Sequence, residues 1–300
     1  AMKLGLSIGY ASSTVNLPVE AILCVERLGY DSVWTAEAYG ADAVTPLAYL
    51  AAVTRRIRLG TGIMQMSART PAATAMAMAT LDQLAGGDRV IIGLGLSGPQ
   101  VVEGWHGRPW GNPIKRTREY VEILRKILAR EDVVSYQGVE YQIPYNGVGA
   151  SGLGKPLKSI LHTRRLPIYL ATLGPSNVKN TAELADGWLP MWFSPNRMNL
   201  YRPWLEEGFA RTGTGKNFEK FEIQPTCTVM VDQDVKECFR KMKPRIALYM
   251  GGMGTRGHNF HNDVLVRYGY GDVAARIQDL YLAGQRDEAA DVVPDDLCDE

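Results

Sequence analysis

RLGTGIMQMSARTP, Arg58 to Pro71, is the stretch from which the fold can be read. Ile57 to Met64 is an apolar run of strand length, the loop after it is polar, and Pro71 opens an Ala- and Met-rich helical stretch that runs to Leu84. Gly60 and Gly62 weaken a strand, so each invites a reason such as a bulge or a close backbone approach. Two readings stay open at this point. One is a plain core strand with a loose end. The other is a backbone platform at Gly62 and Ile63 on which a flat aromatic ligand lies.

Outward from this stretch the same alternation recurs. Toward the N-terminus, Lys3 to Gly9 and Ser32 to Glu37 read as strands. Between them Asn16 is placed to cap a helix with Pro18 in its first turn, and Gly29 ends it. Cys24 falls in that apolar helix pattern and is expected to be a buried thiol. Asp42 to Thr54 is a second helix. Toward the C-terminus, Arg89 to Leu96 is a strand and Ile114 to Arg130 an amphipathic helix. The Gly-, Tyr- and Pro-rich segment about 131–165 carries a hairpin pattern in VVSYQGVEYQI. Pro167 to Thr172, Gly187 to Phe193 and Glu222 to Val231 are strands, with helices at Ser176 to Ala185 and Asn199 to Ala210. The region about 235–300 is mostly helical, with a glycine cluster in YMGGMG.

Seven strand–helix units with near-continuous apolar strands argue for a parallel sheet covered on both faces. At 300 residues, this is most simply a single (β/α)8 TIM-barrel domain spanning 1–300, with a pause in the alternation after the fourth helix. An eighth strand is missing from the pattern: after Asp291 there is only VVPDDLCDE, so the C-terminal unit reads as incomplete.

Composition narrows the function. The chain has 33 basic and 32 acidic residues, a net charge of +1, which gives no support for a nucleic-acid or membrane-surface partner. No apolar run reaches membrane-spanning length and the N-terminus lacks a signal pattern. The four cysteines form no CxxC pair, which fits a reducing, cytoplasmic setting.

Gly93, Gly95 and Gly98 spell GxGxxG after a strand, the pattern of a dinucleotide-binding turn. Three strand–helix units precede it, whereas that fingerprint opens its sheet, and Pro99 follows at once. In a barrel the same small residues leave room for a ligand over the mouth.

Five stretches taken together, SVWTAEAYG (32–40), RLGTGIMQMSARTP (58–71), GLGLSGPQVVEGW (93–105), ATLGPSN (171–177) and ADGWLPMWFSP (185–195), resemble the luciferase-like monooxygenase superfamily. The resemblance is to its branch dependent on the deazaflavin coenzyme F420. It implies a luciferase-like barrel, a homodimer, and hydride transfer between the coenzyme ring and an unidentified small-molecule substrate. It further implies a cis peptide at Gly62–Ile63 beneath the ring, and a phosphate-binding loop at Gly174, Pro175 and Ser176. By the same matching Ala36, Gly95, Ser97, Thr172, Trp188 and Met191 are assigned to the cofactor.

The sequence departs from the family's sugar-phosphate dehydrogenases at two points. Their Asp-His pair after the second strand is Glu37-Ala38 here, and their fourth-loop Glu is replaced by Ser97, Gly98 and Pro99. Glu37 is then the candidate catalytic proton donor or acceptor, against a role confined to hydrogen-bonding the coenzyme or nearby backbone. His106 lies in the fourth-strand loop, at the pocket rim or on the surface. His258 and His261 share a helix face in this reading but lack metal-site partners, so no metal is expected. Trp105, Trp110, Tyr249, Met250 and Met253 are candidates for an apolar substrate pocket, with core packing as the alternative, and the paired glycines of YMGGMG for a hinge or close packing. FMN-dependent monooxygenation is the alternative on the same fold, and a non-catalytic cofactor-binding protein the alternative outside catalysis.

Overall fold

A computed structural model describes residues 2–9 and 11–300. The chain divides into two compact units: Ala1–Thr172 with Lys179–Leu189 and Leu205–Gln224, and Leu173–Val178 with Pro190–Trp204 and Pro225–Glu300.

The first unit is built on a parallel sheet. In chain order its strands and helices are β1 (Gly5–Ser7), α1 (Val19–Arg27), β2 (Ser32–Thr35), α2 (Val44–Val53), β3 (Arg58–Thr61), β4 (Met64–Gln65) and α3 (Pro71–Leu84). Then follow β5 (Val90–Gly95), α4 (Pro99–Gly104), α5 (Pro113–Ala129), the antiparallel hairpin β6 (Tyr136–Gln137) and β7 (Gln142–Ile143), and β8 (Ile168–Ala171). From Lys179 on, α6 (Pro175–Leu184) belongs to this unit and precedes β9 (Gly187–Trp188); from Leu205 on, so does α7 (Met198–Ala210), which follows it, and β10 (Glu222–Ile223) closes the unit. The sheet order is β1-β2-β3-β5-β8-β9-β10, with β4 also on β5.

Alternation along the strands sends side chains to two different apolar environments. Val33, Leu59, Val90, Ile92, Leu94, Ile168 and Leu170 join the main core with Leu47, Leu50, Met78, Tyr120 and Leu124 of the helices. Their intervening neighbours Trp34, Ile91 and Tyr169 form a separate cluster on the other face, with Leu189 against it. Gly60 and Gly93 lie on that second face. A Cβ at Gly60 would stand 2.5 Å from the Trp34 ring, and one at Gly93 1.6 Å from the Thr61 carbonyl oxygen. Glycine at these positions therefore answers to close packing inside the curl of the sheet.

At the N-terminal ends of the strands, Glu222 of β10 meets Lys3 at 2.6 Å, Arg58 of β3 at 3.2 Å and the Tyr169 hydroxyl at 2.5 Å. Arg58 also pairs with Asp31. This charged layer ties the two ends of the sheet order together beneath the aromatic cluster.

Several elements depart from expectation. The strand expected over Ile57 to Met64 is two strands with a break at Gly62. Glu222 to Val231 shortens to Glu222–Ile223 because Pro225 offers no ladder donor and the residues beyond lie in the second unit. Gly187 to Phe193 likewise stops before Pro190. Asn16 does not cap α1: Pro18 takes that position, without a side-chain bond. Cys24 is exposed, since Ile22 and Glu26 are the buried residues of α1.

The second unit has its own core, in which Ile246, Met250, Leu265, Ile277 and Ala289 are buried. Its further helices are α8 (Val235–Ala247), α9 (Phe260–Arg267), α10 (Gly271–Leu282), α11 (Arg286–Asp291) and α12 (Asp295–Asp299). YMGGMG falls on a π-helical turn, Leu248–Gly252. Amide groups of Asn259 and Asn262 donate to the Met250 carbonyl at 2.9 and 3.0 Å. Cβ atoms at Gly251 and Gly252 would both come within 2.4 Å of Tyr281, so the paired glycines serve close packing on α10. His258 precedes α9 and does not share a helix face with His261. No helix among the described residues is long and apolar enough to cross a membrane.

Candidate active site

The C-terminal ends of β2, β4 and β5 bring Glu37, Gln65 and Ser97 together. The local cause is the break between β3 and β4. Pairing with β5 runs through Leu59 and Gly60 opposite Val90 and Ile91, and resumes with Met64 and Gln65 opposite Leu94 and Gly95. Residues 61–63 thus stand opposite only 92–93, a one-residue bulge. Thr61 bridges the gap with its side chain: Oγ1 accepts from Gly93 N at 2.9 Å and donates to Gly93 O at 2.8 Å. The Gly62–Ile63 peptide is cis. Thr61 and Met64 are fully buried, yet Gly62 between them is exposed. A strip of main chain therefore lies open at the end of an otherwise sealed sheet.

Glu37 clamps the loops around this strip. Its Oε1 accepts from Gln65 N at 2.8 Å and from Arg69 at 2.5 Å, and its Oε2 from Ala43 N at 3.0 Å. The Glu37 backbone N–H donates to Ile63 O at 3.1 Å, and Gly62 N to Thr35 O at 2.6 Å. With its side chain 7% exposed and both oxygens engaged by N–H donors, Glu37 is arranged to position loops. Of the two roles the sequence left open for it, these contacts are those of the one that hydrogen-bonds nearby backbone. Beside it, Asp42 accepts from Val44 N and Thr45 N at the start of α2, both at 2.9 Å. Burial works against the Asp42 charge, but those bonds and nearby Arg69 outweigh it and hold the carboxyl below its usual range. The Arg69 carbonyl is held by the Tyr120 hydroxyl at 3.2 Å, a group that burial pushes above the ordinary phenol range.

His106 is not a bare surface histidine. Its Nε2 is 2.6 Å from Gln65 Oε1, and Gln65 Nε2 is 3.1 Å from Ser97 Oγ. Ser97 has φ 65°, an uncommon left-handed conformation for a side-chain-bearing residue. Gln65 and Arg69 were not singled out from sequence. Their signal was a Gln at the end of an apolar strand, 2% exposed once folded, and an Arg four residues on in the same quoted stretch.

The other expected cofactor residues divide into two groups. Ala36 sits between β2 and Glu37, and Ile63 is half-buried on the open strip. Gly95, Thr172 and Trp188 pack in the interior. Gly95 is buried and makes room for the Ile63 side chain, whose Cδ1 lies 2.8 Å from where its Cβ would be. Thr172 Oγ1 meets Thr181 Oγ1 at 2.9 Å, and the Trp188 indole, 1% exposed, donates to Thr172 O at 3.0 Å. GxGxxG does not form a dinucleotide turn: Gly93 and Gly95 lie within β5, and Gly98 begins the six-residue α4. Trp105 is 65% exposed.

Gly174, Pro175, Ser176 and Met191 belong to the second unit. By itself the start of α6 there has exposed Pro175 and Ser176, and a Cβ at Gly174 would meet nothing within 4 Å. A helix N-terminus is in general a favourable setting for an anion. In the same unit Trp192 has φ 58°, its carbonyl accepts from the Tyr268 hydroxyl at 2.8 Å, and its indole donates to His261 Nδ1 at 3.1 Å. Met250 is buried core there.

Residues 6–300 match the luciferase-like monooxygenase family. The chain belongs to that family. A Mycobacterium tuberculosis protein provisionally named a coenzyme F420-dependent oxidoreductase is 49% identical over 302 residues, covering 100% of this luciferase-like chain and 87% of its relative. The 5,10-methylenetetrahydromethanopterin reductase of Archaeoglobus fulgidus is 31% identical, over 76% of this chain and 64% of its own length. Among solved structures, the coenzyme F420-dependent tetrahydromethanopterin reductase of Methanopyrus kandleri superposes with a TM-score of 0.76 at 23% identity, covering 98% of this chain and 84% of its own. The luciferase-like chain thus has the α/β, parallel-sheet architecture of the TIM-barrel type.

Proposed function

We propose that this luciferase-like chain is a coenzyme F420-dependent oxidoreductase that moves a hydride between the deazaflavin and a small organic substrate at the C-terminal ends of the strands. The observation that carries the reading is the exposed main chain at Gly62–Ile63, set between buried Thr61 and Met64. It offers a flat surface for one face of an aromatic ring while leaving the other face free for substrate. The name of the 49% identical relative supports the deazaflavin as that ring. Polar groups nearby fit it. Ser67 Oγ, two residues beyond Gln65, is buried without a hydrogen-bond partner, and a ring edge carrying carbonyl and N–H groups would satisfy it.

The coenzyme, when bound, supplies the hydride-accepting or hydride-donating carbon. The chain supplies position and shielding. Gly62 and Ile63 support the ring, Glu37 and Arg69 hold the loops that frame it, and Ser97 places a hydroxyl at the end of β5. Within this reading 131–165 is an insertion into the barrel and the active species is a homodimer, which sedimentation of the purified protein tests.

The functional test is a fluorescence titration with coenzyme F420 and, separately, with FMN. Tighter binding of the deazaflavin is the expected result. Preference for FMN would replace the reading with flavin-dependent oxygen chemistry, and binding of neither would overturn the cofactor assignment.

A further inference from the structure

The direction of the His106–Gln65–Ser97 chain follows from donor and acceptor counts. An amide oxygen only accepts, so His106 Nε2, 2.6 Å from Gln65 Oε1, carries the proton in that contact. An amide NH2 only donates, so Ser97 Oγ, 3.1 Å from Gln65 Nε2, is the acceptor. A serine hydroxyl that accepts from Gln65 keeps its own proton for another partner, and no described residue takes it. Were the Gln65 amide turned over, its NH2 would face His106 and the Ser97 proton would be consumed on Gln65 Oε1. The N–H at position 106 selects between these two states. Gln65 has little freedom otherwise: it is 2% exposed and its backbone N–H is held by Glu37 at 2.8 Å. Ser97 is also fixed in its left-handed backbone conformation, φ 65°.

We propose that His106, acting through Gln65, is a positioning residue that keeps the Ser97 hydroxyl directed as a hydrogen-bond donor to a carbonyl oxygen of the ring bound over Gly62–Ile63. The inference rests on the deazaflavin reading above and adds to it how the ring edge is selected. No proton passes through the amide. Gln65 transmits only orientation.

The test is coenzyme F420 affinity, read by fluorescence, for the wild-type protein and for S97A, Q65E and the double variant. A carboxylate at position 65 accepts from both neighbours, so it captures the Ser97 proton and turns the hydroxyl from the ring. S97A and Q65E should each weaken binding about tenfold, the worth of one hydrogen bond. The double variant should be no weaker than either single one, with the thermal midpoint of ligand-free S97A unchanged. H106L should weaken binding, and H106R, whose guanidinium only donates, should recover it. This pair decides the matter even if Q65E fails to fold. Wild-type affinity in Q65E, losses that multiply in the double variant, or equal binding by H106L and H106R would overturn the proposal. Failure of the wild-type protein to bind the coenzyme would overturn the deazaflavin reading itself and this inference with it.

Discussion

Glu37 and Gln65 join two strand ends: the Gln65 backbone N–H donates to Glu37 Oε1 at 2.8 Å, although the residues are 28 positions apart. The same carboxylate binds Arg69 and the Ala43 N–H. One side chain therefore fixes the loop after β2, the end of β4 and the loop before α3. Its removal leaves a guanidinium and two backbone donors without their acceptor.

Glu37→Ala is expected to cost about 3 kcal/mol of stability, the scale for stranding one partner of a mostly buried ion pair. Urea unfolding measures it. Glu37→Gln should lie between Ala and wild type, because an amide keeps one acceptor oxygen. A Glu37→Gln protein of wild-type stability that had lost only turnover would restore the proton-transfer role to this residue.

Glu222 predicts an acid limb in the stability profile. Burial opposes its charge, but bonds from Lys3 and Tyr169 and the charge of Arg58 prevail and bring its pKa from 4.5 down to about 2. A carboxyl depressed in the folded state stabilises fully above its unfolded pKa and loses that contribution as pH falls. The loss should run from about pH 4.5 to about pH 2. Glu222→Gln should flatten this part of the profile in denaturant unfolding at successive pH values.

His261 predicts a second limb, at higher pH. Burial lowers its pKa from 6.5 to about 4, so the unfolded chain takes up a proton before the folded one does. The stability this neutral ring contributes is complete above about pH 6.5 and is lost as pH falls toward 4. At about 1.4 kcal/mol per pH unit the full loss is roughly 3 kcal/mol. His261→Gln, which can still accept from Trp192, should remove this slope. An unchanged slope would show that other groups produce it.

Gly93→Ala is expected to be the most damaging single-methyl change in the first unit. The new atom would fall 1.6 Å from the Thr61 carbonyl oxygen, and backbone cannot swing aside as a side chain does. A loss of about 3 kcal/mol or more, at the upper end for overpacking, should appear in denaturant unfolding. At Gly60 the obstacle is the Trp34 ring, so Gly60→Ala should also disturb tryptophan fluorescence.

The helices were the most legible part of the fold. Pro71–Leu84 has the expected bounds, and Pro113–Ala129 and Pro175–Leu184 lie within one residue of theirs, because proline at N1 and apolar periodicity act locally. Strand ends were less legible. Glu222 to Val231 looks uniformly strand-like, but only the first two residues have a partner strand, and pairing is a property of two distant segments. Cys24 shows the same limit on α1, where the apolar pattern did not say which flank faces water.

In the candidate site, residue types and order were readable: the glycines of the third strand, the loop after the fourth, and the family they resemble. Their roles were not. Sequence left Glu37 open between proton transfer and hydrogen-bonding to coenzyme or backbone, and its bonds from Gln65, Arg69 and Ala43 exist only across folded loops; the burial of Trp188 and Gly95 was likewise not legible. Sequence by itself determined the alternation of strand and helix and the family, since these depend on short-range pattern. Only the tertiary structure decided which polar atoms meet across strand ends. Hydrogen-bond partners here come from segments about 30 to 40 residues apart, whose approach is set by sheet register and the bulge at 61–63.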